Sequence, residues 1–204
     1  MAAENSNARR RLFVAIPAPE AVRAEMLRVQ RELEPFAPRN VVRWTKPEQF
    51  HLTLKFLGDV PANQVEALQK SVLAACGNCP ALRLRAQDIG FFPNDRSPRV
   101  IWAGVNDAEN RLPDLQKEIG RAVRHFVEKP GAENFAGHLT LGRFKSFRRR
   151  GVEEIVRRAA AIPDRLFGEW TAEEVELVQS DLSPSEARHT RLAAFRLCGA
   201  AEAA

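Results

Sequence analysis

The amino-acid sequence predicts an α+β fold built from two copies of one β-α-β-α-β unit, forming two lobes related by a pseudo-twofold. Apolar residues alternate between strand-like and helix-like periods along the chain, and that order of segments occurs twice with matching spacing. The length of 204 residues, 45% of them apolar, suits one large domain or two fused lobes.

Each element has a local reason. Arg11-Leu-Phe-Val-Ala-Ile16 and Arg99-Val-Ile-Trp-Ala-Gly104 read as buried strands. Pro19–Leu33 follows the first, with Val22, Met26, Val29 and Leu33 at helical spacing. Leu112–Phe126 follows the second, with Leu112, Leu115, Ile119, Val123 and Phe126. Pro19 and Pro113 stand near the helix starts, where proline is tolerated. Nearly identical strands come next, His51-Leu-Thr-Leu-Lys-Phe-Leu-Gly58 and His138-Leu-Thr-Leu-Gly-Arg-Phe144. Arg11 to His51 is 40 residues and Arg99 to His138 is 39. Helices over Ala62–Ala75 and Val152–Ala161 follow, then strand-like stretches at Leu82–Ala86 and Thr171–Leu182. The expected organisation is a flexible arm over 1–10, one bilobed domain over 11–198 and a frayed tail over 199–204.

Composition narrows the class. This apolar content excludes a disordered chain, and 11 Gly with 13 Pro excludes a collagen-like fibre. Apolar runs extend only a few residues, far short of the roughly 20 that span a bilayer. Leu12–Ile16, ended by Pro17, is too short for the apolar core of a signal peptide. Three cysteines (Cys76, Cys79 and Cys198) argue against a disulfide framework and suit a reducing compartment. A soluble, cytoplasmic monomer is expected. The net charge of +5, with clusters at Arg9–Arg11 and Lys145–Arg150, favours phosphate-bearing partners.

The chemistry concentrates in the two His-x-Thr pairs. Strand side chains alternate, so His51 and Thr53 share one face while Leu52 and Leu54 point to the other. His138 and Thr140 repeat the pattern over Leu139 and Leu141. If the pseudo-twofold joins the strands, two imidazoles and two hydroxyls converge on a groove. One neutral and one protonated histidine form an acid–base pair near neutral pH. Threonine hydroxyls can donate to non-bridging phosphate oxygens, with no metal or covalent intermediate required.

These residues resemble the paired His-x-Thr-x signatures of the 2H phosphoesterase superfamily. Their surroundings are similar to its RNA 2′,3′-cyclic phosphodiesterase branch, also called 2′-5′ RNA ligase-like. The resemblance runs from about Arg11 to Leu197 and includes Arg11-Leu-Phe-Val-Ala-Ile, Val42-Arg-Trp-Thr-Lys-Pro-Glu-Gln-Phe-His51, Phe91-Phe-Pro and Pro98-Arg-Val-Ile-Trp102. It implies a bilobed fold with a central groove and metal-independent opening of an RNA 2′,3′-cyclic phosphate to a 2′-phosphomonoester, with 2′-5′ joining in reverse. By the same resemblance, His51 is the proton donor, His138 the acceptor, Thr53 and Thr140 hold the phosphate, and no cofactor or metal is expected. The near symmetry of the motifs does not by itself fix which histidine is acid and which is base.

Arg143 matches a basic position that follows the second motif in this branch, where a guanidinium can brace a phosphate. Strict alternation puts it on the face opposite His138 unless a bend or bulge at Gly142 re-aims it. Phe56, its counterpart in the first repeat, either stacks on a base or packs in the core. Gly137 stands where the family suggests proline. Arg188-His189, within Ser183–Thr190, stands where an Arg-Tyr is common, leaving His189 to contact substrate or solvent. The Cys76-Gly-Asn-Cys79 pair lacks the further ligands that structural zinc needs. His125 is expected to cap a helix end or face solvent, and Trp44 either lines the groove or packs in the core, with the core favoured. Two other functions fit the same motifs: a phosphodiesterase for a small cyclic phosphate or a 2′-5′ oligonucleotide, and a non-catalytic RNA- or nucleotide-binding module.

Overall fold

A computed structural model describes residues 8–37, 40–127, 135–145, 149–162, 164–182 and 187–198. The first repeat comprises β1 (Arg9–Pro17), α1 (Glu20–Leu33), β2 (Val42–Trp44), β3 (His51–Pro61), α2 (Val65–Gly77) and β4 (Leu82–Phe92). The second comprises β5 (Val100–Asp107), α3 (Leu112–Ala122), β6 (His138–Phe144), α4 (Arg149–Ala160) and β7 (Leu166–Ala172), followed by β8 (Glu174–Leu182) and β9 (Ala187–Arg196).

The helices bury the expected stripes: Val22, Met26, Val29 and Leu33 on α1, and Leu112, Leu115 and Ile119 on α3. Pro19 stands just outside the first turn of α1. The start of α3 is fixed by the Asp107 carboxylate, which accepts the backbone N–H groups of Arg111 (2.6 Å) and Leu112 (3.0 Å). Such a carboxylate satisfies donors that a helix start leaves open. Leu52, Leu54, Leu139 and Leu141 are buried, each stabilising the fold by about 1.5–3 kcal/mol.

All main strands join one sheet in the order β7-β4-β5-β6-β3-β1-β8-β9, with β2 added to β6. The two four-stranded halves meet at its centre through a single bridge, Leu52 to Leu139. This is the bilobed α+β arrangement the repeat predicts, with one difference. The repeats are interlocked: β4 leaves the first repeat to pair with β5, and β8 returns from the second half to pair with β1. Each lobe therefore needs a strand from the other half of the chain.

That exchange also corrects the single strand expected over Thr171–Leu182. Thr171 and Ala172 end β7, which pairs with β4, while the chain from Glu174 crosses to β1 as β8. The break at Glu173 is the lobe crossing. The strand opening at Leu82 extends to Phe92, and β1 begins at Arg9, inside the expected arm. Residues 1–7 and the 199–204 tail lie outside the described residues, as do 146–148 of the basic cluster. No helix among the described residues is long and apolar enough to cross a membrane.

The cysteine pair lies at the end of α2. Cys76 is buried and Cys79 half-buried, and all three thiols are free. Burial pushes the Cys76 thiol up to about 12, so it is neither a nucleophile nor a ready metal ligand.

Candidate active site

Antiparallel pairing about the Leu52–Leu139 bridge sets His51 beside Thr140 and His138 beside Thr53. The leucines face the core and all four polar side chains line one groove, a cavity of about 560 Å³ between the lobes. The groove opens where β3 leaves the edge of β6 after this one bridge. Farther along, β2 takes the same edge, Val42 to Trp44 pairing with Phe144 to Gly142.

A bulge in each repeat re-aims the residues beyond the His-x-Thr pairs. Along β1, Ala15 pairs with Thr53 and Val14 with Lys55, so Leu54 is the extra residue. Along β5, Trp102 pairs with Thr140 and Ile101 with Gly142, so Leu141 is the extra residue. Both lie three positions after the histidine. An inserted residue flips the alternation beyond it, so Phe56 and Arg143 return to the histidine face and line the groove. Strict alternation fails for Arg143 in this way, as the glycine at 142 hinted. Phe56 is 63% exposed, not a core residue.

The bulge at Leu141 is held from behind. Its carbonyl accepts the Thr45 backbone N–H at 2.9 Å and the Gln30 side-chain amide at 2.8 Å. The same amide also donates to the Thr45 carbonyl at 2.8 Å. Gln30 is buried amid the apolar stripe of α1, where its cost is offset by these bonds. Gly142 leaves room for β2, since a Cβ there would approach Trp44 and Val42 at 2.9 Å. Trp44, expected in the core, sits at the boundary: half-buried against the core and also lining the groove.

The two histidines have matching anchors and different walls. His138 Nδ1 lies 2.8 Å from the Ala136 carbonyl oxygen, so Nδ1 donates and Nε2 is left for the groove. His51 hydrogen-bonds the backbone of Gln49, likewise two residues earlier. His138 lies edge-on to Phe92 at 5.0 Å and near Trp102 at 6.4 Å. His51 is stacked on Phe13 at 4.7 Å, with His189 edge-on at 5.3 Å.

Burial, and then the charge of His189, push the His51 imidazole down to about 4; Arg143 and His138 push the same way, and the Gln49 bond opposes them. Burial also lowers His138, with a further push from Arg143 and partial relief from the Ala136 carbonyl. An anion placed between the rings would reverse these shifts by favouring the imidazolium.

His189 comes from β9 and joins the groove against His51 and Phe13, rather than facing solvent. Burial lowers its ionisation, which Glu48 partly restores. His125 is exposed and hydrogen-bonded only to its neighbour Arg124 among the described residues. Phe13, Phe92, Trp102, Gln30 and Arg43 enter the site without having been singled out in the sequence. One signal was present for Trp102: Gly90, its cross-strand partner, has no side chain because the indole lies over it, 2.1 Å from where a Cβ would stand.

Comparison with known proteins agrees with this architecture. The family model of LigT like phosphoesterases matches residues 16–102 and 104–188, two segments that meet within β5 and together span both repeats. The chain is 34% identical over 201 residues to the RNA 2′,3′-cyclic phosphodiesterase of Thermus thermophilus, covering 93% of this chain and 91% of that protein. It is 29% identical over 192 residues to the RNA 2′,3′-cyclic phosphodiesterase of Aquifex aeolicus, covering 93% and 98%. A crystal structure of a Thermus thermophilus protein superposes with a TM-score of 0.76 at 31% identity, covering 93% of this chain and 98% of that one. Escherichia coli LigT complexed with NADP+ superposes with a TM-score of 0.69 at 27% identity, covering 93% and 99%. With both repeats matched and its paired motifs facing one groove, this chain belongs to the family of LigT-like phosphoesterases.

Proposed function

We propose that this enzyme opens 2′,3′-cyclic phosphate ends of RNA to 2′-phosphomonoesters by acid–base catalysis between two histidines. The observation that carries the reading is the convergence of His51, Thr53, His138 and Thr140 on one groove whose described charged lining residues, Arg11, Arg43, Lys46 and Arg143, are all cationic. The related phosphodiesterases point to the same substrate, and a 2′,3′-cyclic phosphate requires the 2′ oxygen that only RNA supplies.

Water attacks phosphorus while His138 Nε2 takes its proton; the bond from phosphorus to the 3′ oxygen breaks, and His51 protonates that oxygen. Thr53 and Thr140 donate to the non-bridging oxygens as charge builds on them. Arg143 braces the phosphate, and Phe56 offers an exposed ring for base stacking. A donor must carry its proton, and His51 in the free protein is neutral at pH 7. The anionic phosphodiester recharges it on binding, so substrate helps assemble its own acid. With an RNA 5′-hydroxyl in place of water, the same attack on the cyclic phosphate, with the 3′ oxygen again leaving, joins ends through a 2′-5′ bond. Three free thiols support a reducing, cytoplasmic setting, and a groove built within one chain supports a monomer as the working unit.

The test is incubation, in EDTA, with an oligoribonucleotide ending in 2′,3′-cyclic phosphate, followed by identification of the monoester. Formation of the 2′-phosphate, reduced by about 10²-fold or more in His51→Ala and in His138→Ala, is the expected result. No turnover, or full activity in either variant, overturns it.

A further inference from the structure

The groove carries more positive charge than a single cyclic phosphate needs. The terminal ring carries one negative charge, yet the described charged residues lining the groove are four cations with no carboxylate among them. Two of these cations, Arg43 on β2 and Arg143 on β6, are directly opposed across the ladder. Like charges in that position sit about 5 Å apart at Cβ and destabilise a sheet. Neither is paired with a carboxylate among the described residues, and both are exposed toward the groove. Such a pair costs folding free energy unless an anion lies against it.

The cations also differ in their effect on the histidines. Arg143 disfavours charge on both His51 and His138, whereas Arg43 contributes to neither. Arg143 in turn is held below the usual arginine range, first by partial loss of its water and then by the Arg43 cation. Arg143 thus acts on the histidine centre, and Arg43 stands opposite it on β2, widening the cationic wall of the groove. Both arginines lie on the ladder just past the Leu141 bulge, beyond Thr140, where β2 continues the groove wall.

Resting on the phosphodiesterase reading above, we propose that Arg43, beside the Arg143 that braces the cyclic phosphate, holds a second RNA phosphate, the phosphodiester next to the terminal one. The enzyme is thereby built to prefer an oligonucleotide end over a free nucleoside 2′,3′-cyclic phosphate. Arg43 is a specificity-determining residue with no part in the bond-breaking step.

The experiment compares kcat/KM for uridine 2′,3′-cyclic phosphate with that for the dinucleotide UpU ending in 2′,3′-cyclic phosphate. The unsubstituted enzyme should favour the dinucleotide by about tenfold or more. Arg43→Ala and Arg43→Glu should bring that ratio toward one, chiefly through KM, and lower the salt slope of dinucleotide binding by about one. Arg43→Glu replaces a repulsive cross-strand pair by an attractive one, so its Tm should equal or exceed that of the parent, which separates loss of a binding site from loss of fold. A ratio unchanged by both variants overturns the proposal. Turnover of neither substrate by the unsubstituted enzyme would instead overturn the phosphodiesterase reading on which it rests.

Discussion

Replacing His51 by glutamine should make the folded protein less sensitive to acid. In the native groove this imidazole is pushed from 6.5 to about 4, first by burial and then by the charge of His189. The unfolded chain binds the same proton near its ordinary value. As pH falls through 6.5 the unfolded state gains a proton that the folded state refuses, and stability drops until the folded state also accepts it near pH 4. The full loss is on the order of 3 kcal/mol, of which about 2 kcal/mol has accrued by pH 5. With a urea slope of roughly 2 kcal/mol/M, the unfolding midpoint should fall by about 1 M between pH 7.5 and pH 5 on account of this residue. Urea melts of the parent and His51→Gln at both pH values measure it. His138 and His189 are also depressed, but they act in both proteins and largely cancel in the comparison. Equal midpoint shifts, or a His51 ring titrating near 6.5 by NMR, would refute the reasoning.

Gln30→Leu should cost about 1–3 kcal/mol, because it strands the Thr45 carbonyl and strips one donor from the Leu141 bulge; chemical melts give the cost, and KM should rise because Arg143 is no longer held in place. Gly90→Ala should destabilise by about 1–3 kcal/mol by driving the Trp102 indole off its seat. Since Trp102 and Phe92 wall His138, steady-state assays of the Gly90 variant should show a lower kcat as well. Burial first, and then the charge of His189, depress His51, so His189→Phe, which removes the second cause, should move the His51 titration and the limb of the pH–rate profile that it controls to higher pH. An unchanged profile would show that His189 does not act on His51.

The two His-x-Thr pairs were legible because alternation is local. His51, Thr53, Leu52 and Leu54 divide between two faces whatever the strand pairs with, and the second repeat copies the division. The helix stripes were legible for the same reason. Arg143 could be named from its match to a basic position, with Gly142 hinting at a bend, but its direction could not be read from alternation, because it depends on a bulge at Leu141 that exists only relative to the partner strand β5. The three-residue strand β2 carries too little periodicity to announce itself, yet it supplies Arg43 and leads directly into Thr45, which supports the bulge. The single strand expected over Thr171–Leu182 failed at Glu173, where pairing with β4 gives way to pairing with β1; nothing in local apolar content marks an exchange between lobes.

The sequence by itself determined the duplication, the identity of the four polar residues and the face on which each stands, since these follow from short-range geometry. Only the tertiary structure decided that the halves exchange strands, that Phe56 and Arg143 turn into the groove, and that Phe13 and His189 enclose His51. Those outcomes arise from contacts between residues far apart in the chain, and burial, which sets the charge of each histidine, exists only once those contacts have formed.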